Sequence, residues 1–156
     1  AVDFVQVWED MAFKTAPLVS PRIVRELMLP AYAELTSHLR ANGVQLVMVD
    51  CDGHVNDLLP LYREAGMDGA HPCEIAAGAD PNALRRLDPR CALMGGMDKR
   101  AIAAGREGVE AELRRVEPVL RQGAFIPFLD HFVPPDVSYD TYRYYVERRR
   151  ELLARV

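Results

Sequence analysis

Four apolar runs in this chain each end abruptly in residues that can bind a metal or transfer a proton. The runs at 45–49, 69–70, 91–96 and 124–129 lead into Asp50-Cys51-Asp52-Gly53-His54, His71-Pro72-Cys73-Glu74, Met97-Asp98-Lys99 and Asp130-His131. A segment with helical periodicity separates each run from the next. This alternation is typical of βα units, whose reactive residues gather at the carboxyl ends of parallel strands. Residues far apart in the sequence are therefore expected to converge on one pocket.

The alternation predicts five strands and five helices. Ser20 and Pro21 suit the N-cap and first position of the first helix, and Pro30 should kink it. The order of elements argues for parallel strands joined by right-handed crossovers. Strands are predicted at about 3–8, 45–49, 68–72, 91–95 and 124–129, and helices at about 21–41, 56–65, 81–87, 105–122 and 138–155.

Five βα units fit two architectures. They can form an open doubly wound sheet, or the last five-eighths of an eight-stranded barrel. Reactive residues after almost every strand favour the barrel, because an open sheet gathers its site at one switch point. We therefore predict an α/β fold that is the C-terminal portion, about five βα units, of a (β/α)8 TIM barrel. Residues 1–156 then form a single partial domain, and the start within a strand suggests that the natural protein begins earlier.

Composition narrows the function classes. A net charge of −4 provides no basic field for nucleic acid. No apolar stretch approaches the length of a membrane span. The three cysteines are an odd number without disulfide-scaffold spacing, which favours a reducing, cytoplasmic location.

Two carboxylates follow the second strand. Asp50 and Asp52 alternate, so on an extended chain they point the same way. Such a pair can share a metal or raise the pKa of one carboxyl group for acid–base work. A helix cap is the simpler alternative. After the third strand, His71 and Cys73 are zinc-type ligands, although a buried thiol and a hydrogen-bonded histidine are the commoner explanation.

Further candidates follow the third and fourth strands. Glu74 comes directly after a buried strand, so its carboxylate needs a partner or a catalytic role. Gly95 and Gly96 permit close approach of the backbone to a ligand, or an unusual turn. Asp98 is placed to orient a polar group and Lys99 to meet an anionic one, with a surface ion cluster as the alternative.

The first and last strands complete the rim. His131 is predicted to be functional, with Asp130 beside it, and Glu9 and Asp10 join from the first strand. An inventory rich in carboxylates favours a metal or a cationic, amide or hydroxyl-bearing ligand. The basic run 148–150 is interpreted as a solvated helix end, and the tyrosines of 139–145 as core packing and surface.

Four stretches together carry a recognisable pattern: Val5–Ala12, Leu18–Pro21, Gly95–Arg100 and Asp130–Asp136. They resemble the C-terminal part of the uroporphyrinogen decarboxylase superfamily, which also contains corrinoid-linked methyltransferases. The resemblance implies a (β/α)8 barrel, of which this chain is roughly strands four to eight. The family's N-terminal arginines and aspartate have no counterpart here.

Resemblance to the decarboxylase branch implies decarboxylation of a small-molecule tetrapyrrole without a cofactor. His131 matches their late histidine, and Glu9 lies where they usually have aspartate. The expected catalytic residues are Asp50, Asp52, Glu74 and His131. The expected substrate-binding residues are Glu9, Gly95, Gly96, Asp98, Lys99 and Asp130.

The methyltransferase branch binds zinc through His-x-Cys and a later Cys. By position, Asp50-Cys51-Asp52 replaces the first element and His131 replaces the last cysteine. Asp50, Asp52 and His131 remain as an oxygen and nitrogen set for a divalent metal such as zinc.

Three hypotheses follow from these residues. The first is a uroporphyrinogen decarboxylase-like carboxy-lyase, and the second is a metal-dependent methyltransferase with a corrinoid partner. The third is a non-catalytic truncated barrel. Open sheet edges and uncovered barrel-interior side chains, expected at Val47, Val49 and Phe128, predict a homo-oligomer or a missing N-terminal segment.

Overall fold

A computed structural model describes residues 2–156 as one parallel sheet with helices along the chain between the strands. The strands pair in sequence order, β1-β2-β3-β4-β5, and every pairing is parallel. The fold is α/β and agrees with the predicted portion of a barrel. The strands are β1 (Val5–Trp8), β2 (Val47–Asp50), β3 (Gly69–His71), β4 (Ala92–Met97) and β5 (Phe125–Leu129).

The helices match the predicted segments, with one addition. A short helix follows β4 directly, because Asp98 caps it and Gly105, at φ +99°, separates it from the next helix. The helices are α1 (Pro21–Ile23), α2 (Leu29–Ala41), α3 (Leu59–Glu64), α4 (Pro81–Leu87), α5 (Lys99–Ala103), α6 (Arg106–Leu120) and α7 (Tyr139–Leu153). Short 3-10 turns lie at Val55–Asp57 and Ile75–Ala77.

The first predicted helix begins as expected and is irregular before Pro30. The hydroxyl of Ser20 accepts a hydrogen bond from the Ile23 amide at 3.3 Å. A π-helical segment, Val24–Met28, then connects α1 to α2. Proline lacks an N–H group and cannot complete the α-helical ladder, so a local change of winding at this point is expected.

The two faces of the sheet differ in what covers them. Val47 and Val49 are completely buried in the apolar core. They alternate with Met48 and Asp50, whose partners in register are Gln6 and Trp8. The expectation that Val47 and Val49 line an uncovered barrel interior was therefore wrong. Side chains alternate between the two faces of a strand, and both valines lie on the face that packs against the helices.

The opposite, open face carries polar and aromatic side chains. Trp8, Asp50 and His71 lie in register on β1, β2 and β3. Ile126 and Phe128 lie on the same face of β5, through their pairing with Met94 and Gly96. Trp8 is 78% exposed and Ile126 is 56% exposed. The carboxyl ends of all five strands lie at one edge, where this face meets the following loops.

None of the helices within residues 2–156 is long and apolar enough to cross a membrane.

Candidate functional site

A cavity of about 430 Å³ lies at the carboxyl ends of the strands. Asp50, Asp52 and His131 all line it, as the sequence predicted. Glu74 and Asp98 were expected in the same cavity and do not line it. Its other walls are mainly aromatic or apolar and include Trp8, Pro72, Phe128, Leu129, Phe132, Val133 and Tyr142.

The side chains of Asp50, His71 and Gln6 contact one another on the open face. Asp50 Oδ1 lies 3.1 Å from His71 Nδ1. Gln6 donates from Nε2 to Asp50 Oδ2 at 2.5 Å, and the same nitrogen lies 3.1 Å from His71 Nδ1. The ring of His71 packs against Phe128, with the centroids 5.4 Å apart. The neighbouring strands thus hold an Asp–His pair rigidly against the cavity.

A second carboxylate–histidine pair lies on the loops after β2 and β5. Asp52 Oδ2 and His131 Nε2 are 3.8 Å apart, and both side chains are partly exposed. Desolvation raises the pKa of Asp52, and the charge of Asp10 raises it further, while His131 opposes the shift. A carboxyl group that holds its proton above the usual range is suited to proton donation.

Asp10 connects the first two loops. Its carboxylate accepts hydrogen bonds from the Asp52 amide at 3.0 Å and from the indole of Trp8 at 2.6 Å. Asp10 has a φ of +30°, which is unusual for a residue with a side chain. This residue therefore fixes both Trp8 and Asp52 at the rim.

Glu74, Lys99 and Asp130 form an ion cluster behind the cavity wall. The ammonium of Lys99 lies 3.3 Å from Glu74 and 3.7 Å from Asp130. Glu74 also accepts from the Gly53 amide at 3.1 Å. Asp130 is completely buried and accepts from the amides of Ile75 and Lys99 at 2.9 and 3.0 Å. The cluster connects the loops after four strands.

Burial raises the pKa of Asp130, although the two amide donors and Lys99 act in the opposite direction. A carboxylate with these three partners has a clear structural role. The catalytic role predicted for Glu74 and the substrate-binding roles predicted for Lys99 and Asp130 stay predictions.

Asp98 lies at the start of α5. It caps the helix by accepting from the Arg100 amide at 2.9 Å, and it forms an ion pair with the Arg100 side chain at 2.6 Å. The hydrogen bond from Arg100 lowers the pKa of Asp98. These contacts correspond to the surface ion cluster that was the alternative, and the substrate role of Asp98 stays a prediction.

The two glycines of β4 bring segments of the chain itself close together. A Cβ atom on Gly95 would lie 2.0 Å from the carbonyl oxygen of Pro72, and one on Gly96 would lie 2.2 Å from Cγ of Pro81. Both glycines have positive φ, +93° and +70°. The close backbone approach expected at these glycines is therefore a contact with other segments of the chain itself. Binding of a ligand there stays a prediction.

Glu9 turns toward the helices. Its carboxylate accepts from the hydroxyl of Tyr32, on α2, at 2.5 Å. Burial and this contact with Glu9 raise the pKa of Tyr32. Glu9 does not line the cavity, so its predicted role in substrate binding stays untested.

The thiols and the predicted metal ligands do not gather into one group in residues 2–156. Cys51, Cys73 and Cys91 are all buried, and burial raises the pKa of each thiol, to about 11 for Cys91. Within residues 2–156, no three His, Cys, Asp or Glu side chains converge closely enough to hold an ion. Asp50, Asp52 and His131 therefore do not converge as a ligand set in the part of the chain that the structure describes, and metal binding by them stays a prediction.

Sequence reasoning missed several residues of this site. His71 was considered as a zinc ligand or a hydrogen-bonded histidine and not as an acid–base group, and Gln6 was not singled out as a site residue. A polar residue between the valines of β1 was the available signal. Arg149 and Tyr145 also line the cavity, although their segments were interpreted as a solvated helix end and core packing. The packing position of the helix determines which arginine of a basic run faces the cavity. The sequence of the run alone does not show this.

Comparisons with known proteins give a family from a family model and a similar fold from a solved structure. The family model for uroporphyrinogen decarboxylase matches residues 1–152. A solved structure of a methyltransferase from Methanosarcina mazei is similar, with a TM-score of 0.67 and 17% sequence identity. The similarity covers 96% of this chain and 42% of that protein, so this chain spans less than half its length. No curated protein matches the sequence.

Proposed function

This chain belongs to the uroporphyrinogen decarboxylase family, and from that premise we propose that it carries the acid–base groups of a carboxy-lyase that acts on a tetrapyrrole. One observation carries the proposal: two carboxylate–histidine pairs, Asp50 with His71 and Asp52 with His131, line the same cavity. Paired groups of this kind provide donors and acceptors for proton transfer near neutral pH.

Loss of CO2 from an acetate group on a pyrrole needs two protonations and one deprotonation. Protonation of a ring carbon first makes the ring an electron sink. The bond between the CH2 carbon and the carboxylate then breaks, its electron pair moves into the ring, and CO2 leaves. Protonation of the exocyclic carbon and loss of the ring proton restore the aromatic pyrrole, so one proton replaces one CO2.

The residues of the cavity suit these steps. Asp52, whose pKa is raised, and His131 are the proposed proton donors. The carboxylate of Asp50 stabilises the positive charge of the protonated ring, and His71 returns or accepts the ring proton. Trp8 and Phe128 offer aromatic surface to a planar ring.

The cavity volume of about 430 Å³ lies within the range of small-molecule sites. It opens onto the uncovered face of the sheet. Since this chain spans 42% of the methyltransferase that it resembles in fold, we propose that further strands from elsewhere in a longer chain, or from a second chain, complete the wall.

The runner-up is a metal-dependent methyltransferase that serves a corrinoid partner, and the fold of the Methanosarcina mazei protein is the observation in its favour. The burial of all three thiols and the absence of a convergent ligand set within residues 2–156 make it second.

The test exploits Trp8, the chain's single tryptophan, which lines the cavity. Uroporphyrinogen added under anaerobic conditions should quench its fluorescence, and chromatography should detect products that have lost CO2. The variant His131→Gln should abolish product formation, whereas His38→Gln, on the exposed surface of α2, should not.

Quenching by a corrinoid, together with a stoichiometric metal lost in Asp52→Ala, would instead support the methyltransferase. A folded chain that binds neither compound and releases no CO2 would contradict both enzymatic proposals and leave the non-catalytic barrel.

A further inference from the structure

Arg149 differs from the other two arginines of its run. Arg148 forms an ion pair with Glu110 at 2.6 Å, and Arg150 is exposed to solvent. Arg149 instead lines the cavity, with its guanidinium carbon 5.6 Å from the centre of the Tyr145 ring. Successive residues of a helix point about 100° apart, so only one of the three can turn toward the site.

The guanidinium of Arg149 is held in place but not neutralised. Its Nη1 donates to the carbonyl oxygen of Pro127, on β5, at 3.2 Å. In the part of the chain that the structure describes, no carboxylate lies within ion-pair distance of it. A cation that faces a cavity without a counter-ion creates a favourable position for an anion.

Two polar atoms beside the cavity also lack partners. Arg149 Nε and Tyr145 Oη are both buried and form no hydrogen bond within residues 2–156. Tyr145 is 1% exposed and nevertheless lines the cavity. Burial of an unpaired donor is unfavourable, so such groups in a native protein usually have a partner that the chain does not provide.

The free edge of the guanidinium determines the kind of partner. With Nη1 engaged by Pro127, the Nε and Nη2 groups of Arg149 remain as two parallel donors. This edge matches the two oxygens of a carboxylate. Burial raises the pKa of Tyr145, although the adjacent guanidinium of Arg149 opposes the shift, so the hydroxyl keeps its proton at neutral pH and can donate as well.

We propose that Arg149 and Tyr145 form a binding site for a carboxylate group of the ligand, on α7 and separate from the acid–base groups on the strands. A tetrapyrrole with carboxylate side chains meets this requirement, and that identification rests on the proposed function. A substrate carboxylate anchored on α7 would place the rest of the ring toward Asp50 and His71. The sequence predicted a rim rich in carboxylates, and Arg149 adds to it a cation that an anionic ligand can contact.

The test uses benzoate as a small planar carboxylate and benzamide as its uncharged counterpart. Nuclear magnetic resonance titration of the 156-residue chain should show benzoate binding about tenfold more tightly than benzamide, with a shift of the Arg149 Nε–H signal. Arg149→Gln should remove this preference. Arg150→Gln, which removes the same charge from the next position, should retain it.

Equal binding of the two compounds, or equal weakening by Arg149→Gln and Arg150→Gln, would overturn the proposal. If Arg149→Gln fails to fold, as judged by circular dichroism, Tyr145→Phe and Arg149→Lys provide the same comparison, since one removes the hydroxyl and the other the fork of donors. Each should weaken benzoate and leave benzamide unchanged.

The outcomes for this site and for the proposed function are separable. Absence of decarboxylation together with Arg149-dependent benzoate binding overturns the function and leaves the carboxylate site. Decarboxylation that continues in Arg149→Gln with an unchanged KM overturns the carboxylate site and leaves the function.

Discussion

Asp50 Oδ1 and His71 Nδ1 lie 3.1 Å apart on adjacent strands, where the two residues are direct partners in register. Both side chains face the cavity. This contact orients the imidazole, so that its Nε2 remains for a ligand. The rigidity of paired strands makes the geometry more exact than a pair of loop residues would allow.

The first prediction concerns this pair. Asp50→Asn and His71→Gln should each reduce kcat about 10²-fold or more, because the first removes the charge that stabilises the protonated ring and the second removes the group that exchanges the ring proton. Gln6→Leu should reduce it less, since Gln6 acts through Asp50, and it should move the pH optimum. Rates measured across pH, with His38→Gln as the exposed control, test this. Full activity in His71→Gln would exclude the pair from catalysis.

The second prediction concerns Asp52. Its folded pKa is raised by burial and by Asp10, so the folded state binds the proton more tightly than the unfolded state. The stabilising effect is therefore complete below the ordinary aspartate range of about 4 and is lost as pH rises through the folded value. The variant Asp52→Asn has no ionisable group at this position, so it should not show this loss of stability.

Urea unfolding at several pH values measures the difference in the free energy of unfolding between Asp52→Asn and the natural sequence. The variant should gain stability relative to the natural sequence as pH rises above about 4. The gain should be small, since the side chain of Asp52 is 44% exposed. A gap between the two proteins that stays constant with pH would show that the pKa of Asp52 is not raised.

The third prediction concerns Asp130. Asp130→Ala leaves the amides of Ile75 and Lys99 without an acceptor and removes one partner of the Lys99 ammonium. The free energy of unfolding should fall by about 3 kcal/mol. Asp140→Ala, at an exposed position of α7, should change it by less than about 0.5 kcal/mol. Equal effects in chemical denaturation would mean that the ion cluster does not stabilise the loops.

The polar residues that follow the strands were predictable from the sequence in their general position but not in their contacts. The polar residues after each strand were correctly placed at one end of the sheet, because parallel strands leave no other choice for Asp50, Asp52 and His131. Whether a side chain at that end reaches the cavity or the layer behind it depends on one-residue differences in register. Asp98 became a helix cap and Asp130 a buried acceptor for that reason.

Arg149 and Tyr145 illustrate a second limit. Their placement depends on how α7 packs beside β5, which is a tertiary relationship. Helical periodicity groups residues into faces, but it does not specify which neighbour each face meets. The pairing of Gln6 with Asp50 likewise required the register of β1 against β2.

The fourth prediction distinguishes packing from ligand binding at Gly95. Gly95→Ala places a Cβ atom 2.0 Å from the oxygen of Pro72 and strains a backbone with φ +93°. Gly43→Ala has similar strain at φ +87° but meets no atom within 4 Å. The control should lose about 1–2 kcal/mol and Gly95→Ala clearly more. Similar thermal unfolding of the two variants would show that the Pro72 loop moves freely and that packing does not require glycine at 95.

The last prediction concerns the uncovered face of the sheet. Parallel strands are normally buried on both faces, yet Trp8 and Ile126 are 78% and 56% exposed here. Within residues 2–156, β1 and β5 each have one strand neighbour, so both edges are open to pairing. The 156-residue chain should therefore self-associate or bind a hydrophobic dye. Light scattering and dye fluorescence measure the two outcomes.

A charge on this face should weaken the association. Ile126→Lys introduces one on the open face, at the edge strand β5. Leu87→Lys introduces the same charge at the end of α4, where Leu87 is 53% exposed. Only the first should shift the protein toward a monomer with weak dye binding, because only Ile126 lies on the face that lacks a second layer. A monomer with a cooperative melt and no dye binding in the unaltered chain would show that five strands bury enough surface on one face to be stable alone.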